Sequence, residues 1–178
     1  MNRIWIIGCS GSGKSTLADR LAAQLDLTKY ELDGIFHQSG WTQMPDEQFC
    51  SQLAEIVGTE RWILDGNYFR RCPGTIAARA ELVVWLDLPR AQTFFRVVRR
   101  SLRRVLYREE LWNGNREGWS TLLNPNPETN IVLRTWRQHP VYRRRYERAI
   151  EEDQFGNAEV VRIRTTEELE DWCMSVTR

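Results

Sequence analysis

Residues 1–25 read MNRIWIIGCSGSGKSTLADRLAAQL. A β-rich apolar run, Arg3 to Ile7, stops at Gly8, and Gly8 to Ser15 fits the template G-x-x-x-x-G-K-[ST]. That template is a phosphate-binding loop: its glycines let successive backbone N–H groups turn inward toward phosphate oxygens. The nucleotide-binding residues expected from it are Gly8, Cys9, Ser10, Gly11, Ser12, Gly13, Lys14, Ser15 and Thr16. Lys14 is expected to reach the β- and γ-phosphate oxygens, and the Ser15 hydroxyl to ligate Mg²⁺. The helix opening near Lys14 adds its positive N-terminal end. Leu17, Leu21, Ala22 and Leu25 give this helix one apolar face.

Outward from this loop, strands and helices alternate. Tyr30 to Leu32 reads as a second strand ending at Asp33, and Pro45 starts a helix through about Val57. Trp62 to Leu64 gives a third strand, ending in Asp65-Gly66, and Leu82 to Leu86 a fourth, ending in Asp87. Both are too continuously apolar for a strand with one wet face, which predicts a parallel sheet covered on both sides. A long helix over Arg90 to Leu106 is expected to turn Phe94, Phe95, Val98, Leu102 and Val105 inward and its arginines outward. Residues 107–130, rich in Asn, Gly, Pro and Trp, exceed an ordinary connection and predict a lid or binding loop. A second arginine-rich helix follows from about Glu128 to Glu151. Glu159 to Ile163 is the last strand, and Thr165 with Glu168 forms a capping box for a final helix. The pattern predicts one α/β domain over residues 1–178, a three-layer sandwich. Ligands of such sheets sit outside the carboxyl ends of the strands, where Gly8, Asp33, Asp65 and Asp87 converge.

Composition narrows the classes. With 42% hydrophobic and 28% charged residues in 178, the chain reads as soluble and globular. It shows no membrane span and no signal-peptide layout, so a cytoplasmic location is expected. A net charge of +1 gives no basic footprint, and nucleic acid is not the expected partner. Lys14 and Lys29 are the only lysines, so 23 of the 25 basic residues are arginine, and 13 of these fall between Arg96 and Arg148. The planar guanidinium matches phosphate oxygens bidentately, although solvated helix faces also carry such charges. Cys9, Cys50, Cys72 and Cys173 are far apart with no C-x-x-C pair, which predicts reduced thiols and no structural zinc. His37 and His139 are isolated and expected in ordinary roles. Trp41, Trp112, Trp119 and Trp136 suit either the wall of a binding site or packing. Asp87 suits either a helix cap or a contact to Mg²⁺.

"LDGNY" (64–68) and "FRVVRR" (95–100) resemble the adenylate-kinase-like branch of P-loop kinases. The resemblance implies a five-stranded parallel sheet of order 2-3-1-4-5 and a helical lid closing over ATP. It also puts Arg96 near the adenine and ribose, and Arg100 on the phosphates. "WILDGNY" (62–68), "RAELVVWLDLPR" (79–90) and "ELWNGNREGW" (110–119) resemble more closely a bacterial group of small kinases called topology modulation or FlaR-like proteins. The chain departs from adenylate kinase on the acceptor side, where Asn67-Tyr68 replace the arginine that holds AMP, with Arg70 and Arg71 just beyond.

These readings predict an ATP- and Mg²⁺-dependent kinase that phosphorylates a small acceptor, a nucleotide or nucleoside in the first instance. Lys14, Arg96, Arg100 and Asp33 are the expected catalytic residues, and Ser15 and Asp65 the expected metal ligands. Asp33, Arg70, Arg79, Arg116 and Arg134 are the expected acceptor-binding residues, with Arg137 adding charge from the lid side. Asp33 would accept the acceptor's hydroxyl or its proton, by analogy with shikimate-kinase-like relatives. Two alternatives stand beside this reading: a kinase of a non-nucleotide alcohol, of shikimate or gluconate kinase type, and a nucleotide-binding regulator or nucleic-acid-binding ATPase.

Overall fold

Strand β1 (Arg3–Gly8) is the centre of the molecule because both of its faces are greasy, and neighbours cover each of them. In the computed structural model, which describes residues 1–176, it pairs in parallel with β3 (Trp62–Asp65) on one side and β4 (Leu82–Leu86) on the other. Strands β2 (Thr28–Glu31) and β5 (Glu159–Ile163) complete a five-stranded sheet of order β2-β3-β1-β4-β5. The fold class and strand order expected from the sequence are both found. Positions 177 and 178 of the expected domain lie outside the described residues.

The two faces of the sheet follow the two-residue period of the strands. Trp5, Ile7, Trp62, Leu64, Val83 and Trp85 point to one side, where α3 (Asp46–Gly58) and α6 (Ile131–Glu151) cover them with Phe49, Leu53, Tyr146 and Ala149. Ile4, Ile6, Ile63, Leu82 and Val84 point to the other, under α1 (Lys14–Leu25) and α7 (Thr166–Val176). The capping box expected at the last helix forms, and the second arginine-rich helix starts three residues later than expected, behind a cap the sequence reading did not name. Thr165 Oγ1 accepts the Glu168 N–H at 3.1 Å, and Asn130 caps α6 by accepting from the N–H groups of Val132 and Leu133. No helix among the described residues is long and apolar enough to cross a membrane.

Helix α4 (Arg90–Leu106) departs from the expected packing. Its buried stripe is Thr93, Val97, Ser101 and Val105, while Phe95 is 68% and Leu102 40% exposed. The phosphate loop decides this. Gly11, at φ 79°, lies so close to α4 that an added Cβ would stand 2.4 Å from Thr93 O and 2.7 Å from Val97 Cγ2. Only a face of small residues permits that approach, so the larger apolar side chains are turned outward.

The cysteines are the second departure. Cys50 on α3 and Cys72 are joined in a disulfide with Cα atoms 5.6 Å apart, and Cys9 and Cys173 remain thiols. Sequence spacing could not show this pairing, because the fold alone brings α3 beside the segment that follows β3.

Candidate active site

At the carboxyl edge of the sheet the phosphate loop is held from several sides. Gly13 enters α1 with φ 99°, a left-handed conformation that suits glycine. The Lys14 ammonium donates to Cys9 O at 3.2 Å, and the Ser15 hydroxyl donates to Asp65 Oδ2 at 2.5 Å. Burial pushes the Asp65 carboxyl above its ordinary range, with Lys14 and the Ser15 hydrogen bond opposing. Cys9 is buried with its Sγ 3.8 Å from Thr135 O, and burial raises the thiol; it is a packing contact to α6.

Arg96 and Arg100, one turn apart on α4, have different places. Arg96 Nη1 lies 3.4 Å from Ser12 O, on the outside of the loop. Arg100 lines the cleft beside Lys14 and Asp65. Burial lowers its pKa and the Arg104 guanidinium lowers it further, against an opposing pull from Glu117. Arg104 itself forms a largely buried ion pair with Glu117 at 2.7 Å. Two guanidiniums and one carboxylate therefore leave a net positive charge beside the phosphate loop.

The cleft encloses about 750 Å³ and reaches from Ser10 and Lys14 to Asp33, Tyr68 and Arg134. Asp33 lies in the first turn of a short helix, α2 (Leu32–Phe36), where β2 was expected to run on to it. The Tyr68 hydroxyl donates to Asp33 Oδ1 at 2.8 Å. Burial raises the Tyr68 phenol far above its ordinary range, and the Asp33 carboxylate adds to the effect. His37 lines the same wall, its pKa lowered by burial and by the charges of Arg134 and Arg71, with Asp33 opposing. Arg70 and Arg134 also face this cleft.

Arg79, Arg116 and Arg137 do not. Arg79 precedes β4 and so lies at the amino edge of the sheet, where it reaches Gly58 O at 3.4 Å. Arg116 pairs with Glu110 on the surface at 3.3 Å. Arg137 misses the face of α6 that carries Arg134, Gln138, Tyr142 and Arg145 into the cleft. Asp87 neither caps a helix nor stands free for a metal. Arg162 grips it at 2.6 and 3.0 Å, and Arg143 adds a contact at 3.2 Å. Pro89 occupies the cap position of α4.

Two groups of residues were missed in the sequence. Asn67 donates to Gly8 O at 2.7 Å while its Oδ1 accepts from Gly8 N at 2.9 Å and from the Tyr146 hydroxyl at 2.8 Å. It ties the first glycine of the phosphate loop to the segment after β3. The motif at 110–119 supplies the other group. Trp112 Nε1 donates to Glu31 Oε2 at 2.6 Å, and Asn113 Nδ2 donates to Gly34 O and His37 O at 3.0 and 2.7 Å. Asn115, 3% exposed, donates to Gln38 O and Trp112 O and accepts from Trp41 N. The first half of the expected lid is thereby stapled onto α2 and the turn that follows it. Burial works to raise the Glu31 carboxyl, but Lys29 and the Trp112 indole hold it below its ordinary value.

The donor set suits a divalent cation bound with a nucleotide. Among the described residues no cluster of three or more His, Cys, Asp or Glu could enclose a metal. Mg²⁺ requires no such cage: one or two protein oxygens suffice when phosphates and water supply the rest. Ser15 Oγ and the Asp65 carboxylate offer oxygens of that kind, already in contact at the loop.

No protein-family model and no curated protein matches the chain by sequence. Solved structures match it along nearly its whole length. A shikimate kinase from Acinetobacter baumannii, in complex with shikimate, superposes with TM-score 0.57 at 18% identity, over 99% of this chain and 90% of that one. A shikimate kinase from Bacteroides thetaiotaomicron gives TM-score 0.57 at 15% identity, over 98% and 96%. A sugar kinase from Janibacter sp. gives 0.50 at 14%, over 98% and 93%. At such identities the likeness is one of fold.

Proposed function

We propose that the chain is an ATP- and Mg²⁺-dependent kinase that transfers the γ-phosphoryl group to the hydroxyl of a small non-nucleotide alcohol. One observation carries this reading: Asp33, braced by Tyr68, shares one cleft with Lys14 and the Ser15–Asp65 pair. A nucleoside monophosphate accepts through an oxygen that is already anionic, needs no base, and would be repelled by a carboxylate. An alcohol must lose a proton as it attacks. The acceptor hydroxyl bonds to the γ-phosphorus as the bond to the β-phosphate oxygen breaks, ADP leaves, and the hydroxyl proton passes to Asp33. Lys14 and Arg100 neutralise charge on the migrating group. Bound Mg²⁺, held by Ser15 and Asp65, would supply further neutralisation. The alcohol-phosphorylating chemistry in the names of the structural neighbours supports the same choice. Within this reading, the motifs at 62–68, 79–90 and 110–119 argue for the topology-modulation group of small kinases.

A screen of ATP consumption across sugars, cyclic polyols, nucleosides and nucleoside monophosphates tests the proposal, with Lys14→Ala as control. Stimulation by a non-nucleotide alcohol, absent in the variant, is expected. Preference for a nucleoside monophosphate would overturn the alcohol reading. ATP binding with no stimulation by any acceptor would overturn the kinase itself.

A further inference from the structure

A second concavity of about 550 Å³ opens behind the acceptor end of the cleft. Its floor is apolar, formed by Phe69, Val141 and Ala149; its rim carries Arg70, Arg144, Arg145 and Arg148, with Glu152 and Gln154 at the Arg148 end. Arg70 and Arg145 line the cleft as well, so the two spaces share a wall. Of these four guanidiniums only Arg148 meets a carboxylate, that of Glu152 at 2.5 Å. Arg145 stands over the Tyr142 ring at 5.1 Å, and Arg70 and Arg144 have no ion-pair partner among the described residues. Nearby arginines are treated differently by the fold. Arg143 and Arg162 are shared between Asp87 and Glu147, Arg104 takes Glu117, and Arg71 takes Asp46. In a chain of net charge +1, three uncompensated guanidiniums around one hollow are a place prepared for an anion.

We propose that this groove is an anion subsite continuous with the acceptor site, and that the acceptor alcohol carries a phosphate monoester remote from the hydroxyl that reacts. The proposal rests on the kinase reading above for the word acceptor, but not for the subsite. A carboxylate is satisfied by one guanidinium fork, whereas a dianionic phosphate uses two or three. Helix α6 sets the span: Arg134 and Arg145 are eleven residues apart in the sequence, about 16 Å along the axis at 1.5 Å per residue. A molecule stretched between Asp33 and the groove lies along this face, its reactive alcohol at one end and its phosphate at the other.

The test keeps the phosphate loop out of the measurement. Full-length protein saturated with a non-hydrolysable ATP analogue and Mg²⁺ is titrated with phenyl phosphate, for the wild type and for Arg144→Ala and Arg144→Glu. Arg144 is exposed and lines only the groove, so neither change disturbs the core or the cleft. Loss of a charge-assisted contact predicts affinity about tenfold weaker for Arg144→Ala, and weaker still for Arg144→Glu. Equal affinity in all three proteins overturns the subsite. So does binding of a short RNA or DNA that Arg144→Glu abolishes while phenyl phosphate binds none of them, which would make the groove a nucleic-acid face. A second arm measures ATP consumption with matched alcohols, free and phosphorylated. A lower KM for the phosphorylated member, lost in Arg144→Glu, supports the proposal. Turnover of free alcohols with KM unchanged in the variant overturns the subsite and leaves the kinase standing. Phenyl phosphate bound through Arg144 with no turnover of any alcohol keeps the subsite and removes the kinase.

Discussion

Arg100 is half-buried among charges, and its guanidinium is worth most where negative charge grows during transfer. Arg100→Ala should lower kcat by about 100- to 1,000-fold, with a much smaller change in equilibrium ATP binding, a split that single-turnover kinetics and nucleotide titration resolve together. Equal losses would show that Arg100 only holds nucleotide. Asp65 makes a contrasting case. Its pKa is raised by burial, so between the unfolded and the folded value the folded state holds a proton that the unfolded chain has released. The stability lost to this is small below the ordinary carboxylate range, grows as pH rises toward the folded value, and levels off above it. Asp65→Asn should therefore melt higher at pH 7 by a few degrees and show a flatter rise in melting temperature on mild acidification. Mg²⁺-dependent turnover should fall at least about 100-fold in the same variant. A lower melting temperature would contradict the assignment of burial as the dominant effect.

The segments between strands divide what could be read in the sequence from what could not. The strands and the loop that joins β1 to α1 were legible because each depends on local pattern: an apolar run, a glycine, a lysine at fixed spacing; the strand order came with the family resemblance. Arg79 was misplaced although its position just before β4 already put it on the wrong edge of the sheet. Asn67 and the staple at 112–115 were hidden for a different reason. Their long-range partners lie 59 to 81 residues away, and most of these bonds end on backbone atoms, which leave no trace in the sequence of the partner. The misread face of α4 belongs here too, since hydrophobicity pointed to Phe95 while steric approach to Gly11 selected Thr93 and Val97. Asn115→Ala removes two donated and one accepted bond from a buried position, and should cost about 2–3 kcal/mol. Amide hydrogen exchange should then rise in residues 37–43 and 110–116 and leave β1 and β4 protected; uniform change across the sheet would argue against a local staple.

For the molecule as a whole, the disulfide fixes α3 to the segment that carries Tyr68, Arg70 and Arg71. It closes a loop with sequence separation 22, which by chain entropy stabilises the fold by about 3 kcal/mol. Thermal melting with and without a thiol reductant should differ by about 5–10 °C, and Cys50→Ser should reproduce the reduced value without reductant. Identical melts would show that the bond contributes nothing in solution. The reduced protein should keep its ATP affinity, since the phosphate loop lies on the other side of Asn67, and should show a higher KM for the acceptor.

Glu31, Gly34 and Trp112 are a matched set: a methyl group added at Gly34 would come within 2.6 Å of the Trp112 ring, and that ring's N–H is committed to Glu31. Neither half of this wall of the cleft can therefore be exchanged alone. Re-shaping this cleft for another molecule by grafting would require residues 31–43 and 110–117 to be transplanted as one unit, and related sequences that diverge in one stretch should be found to have changed in the other.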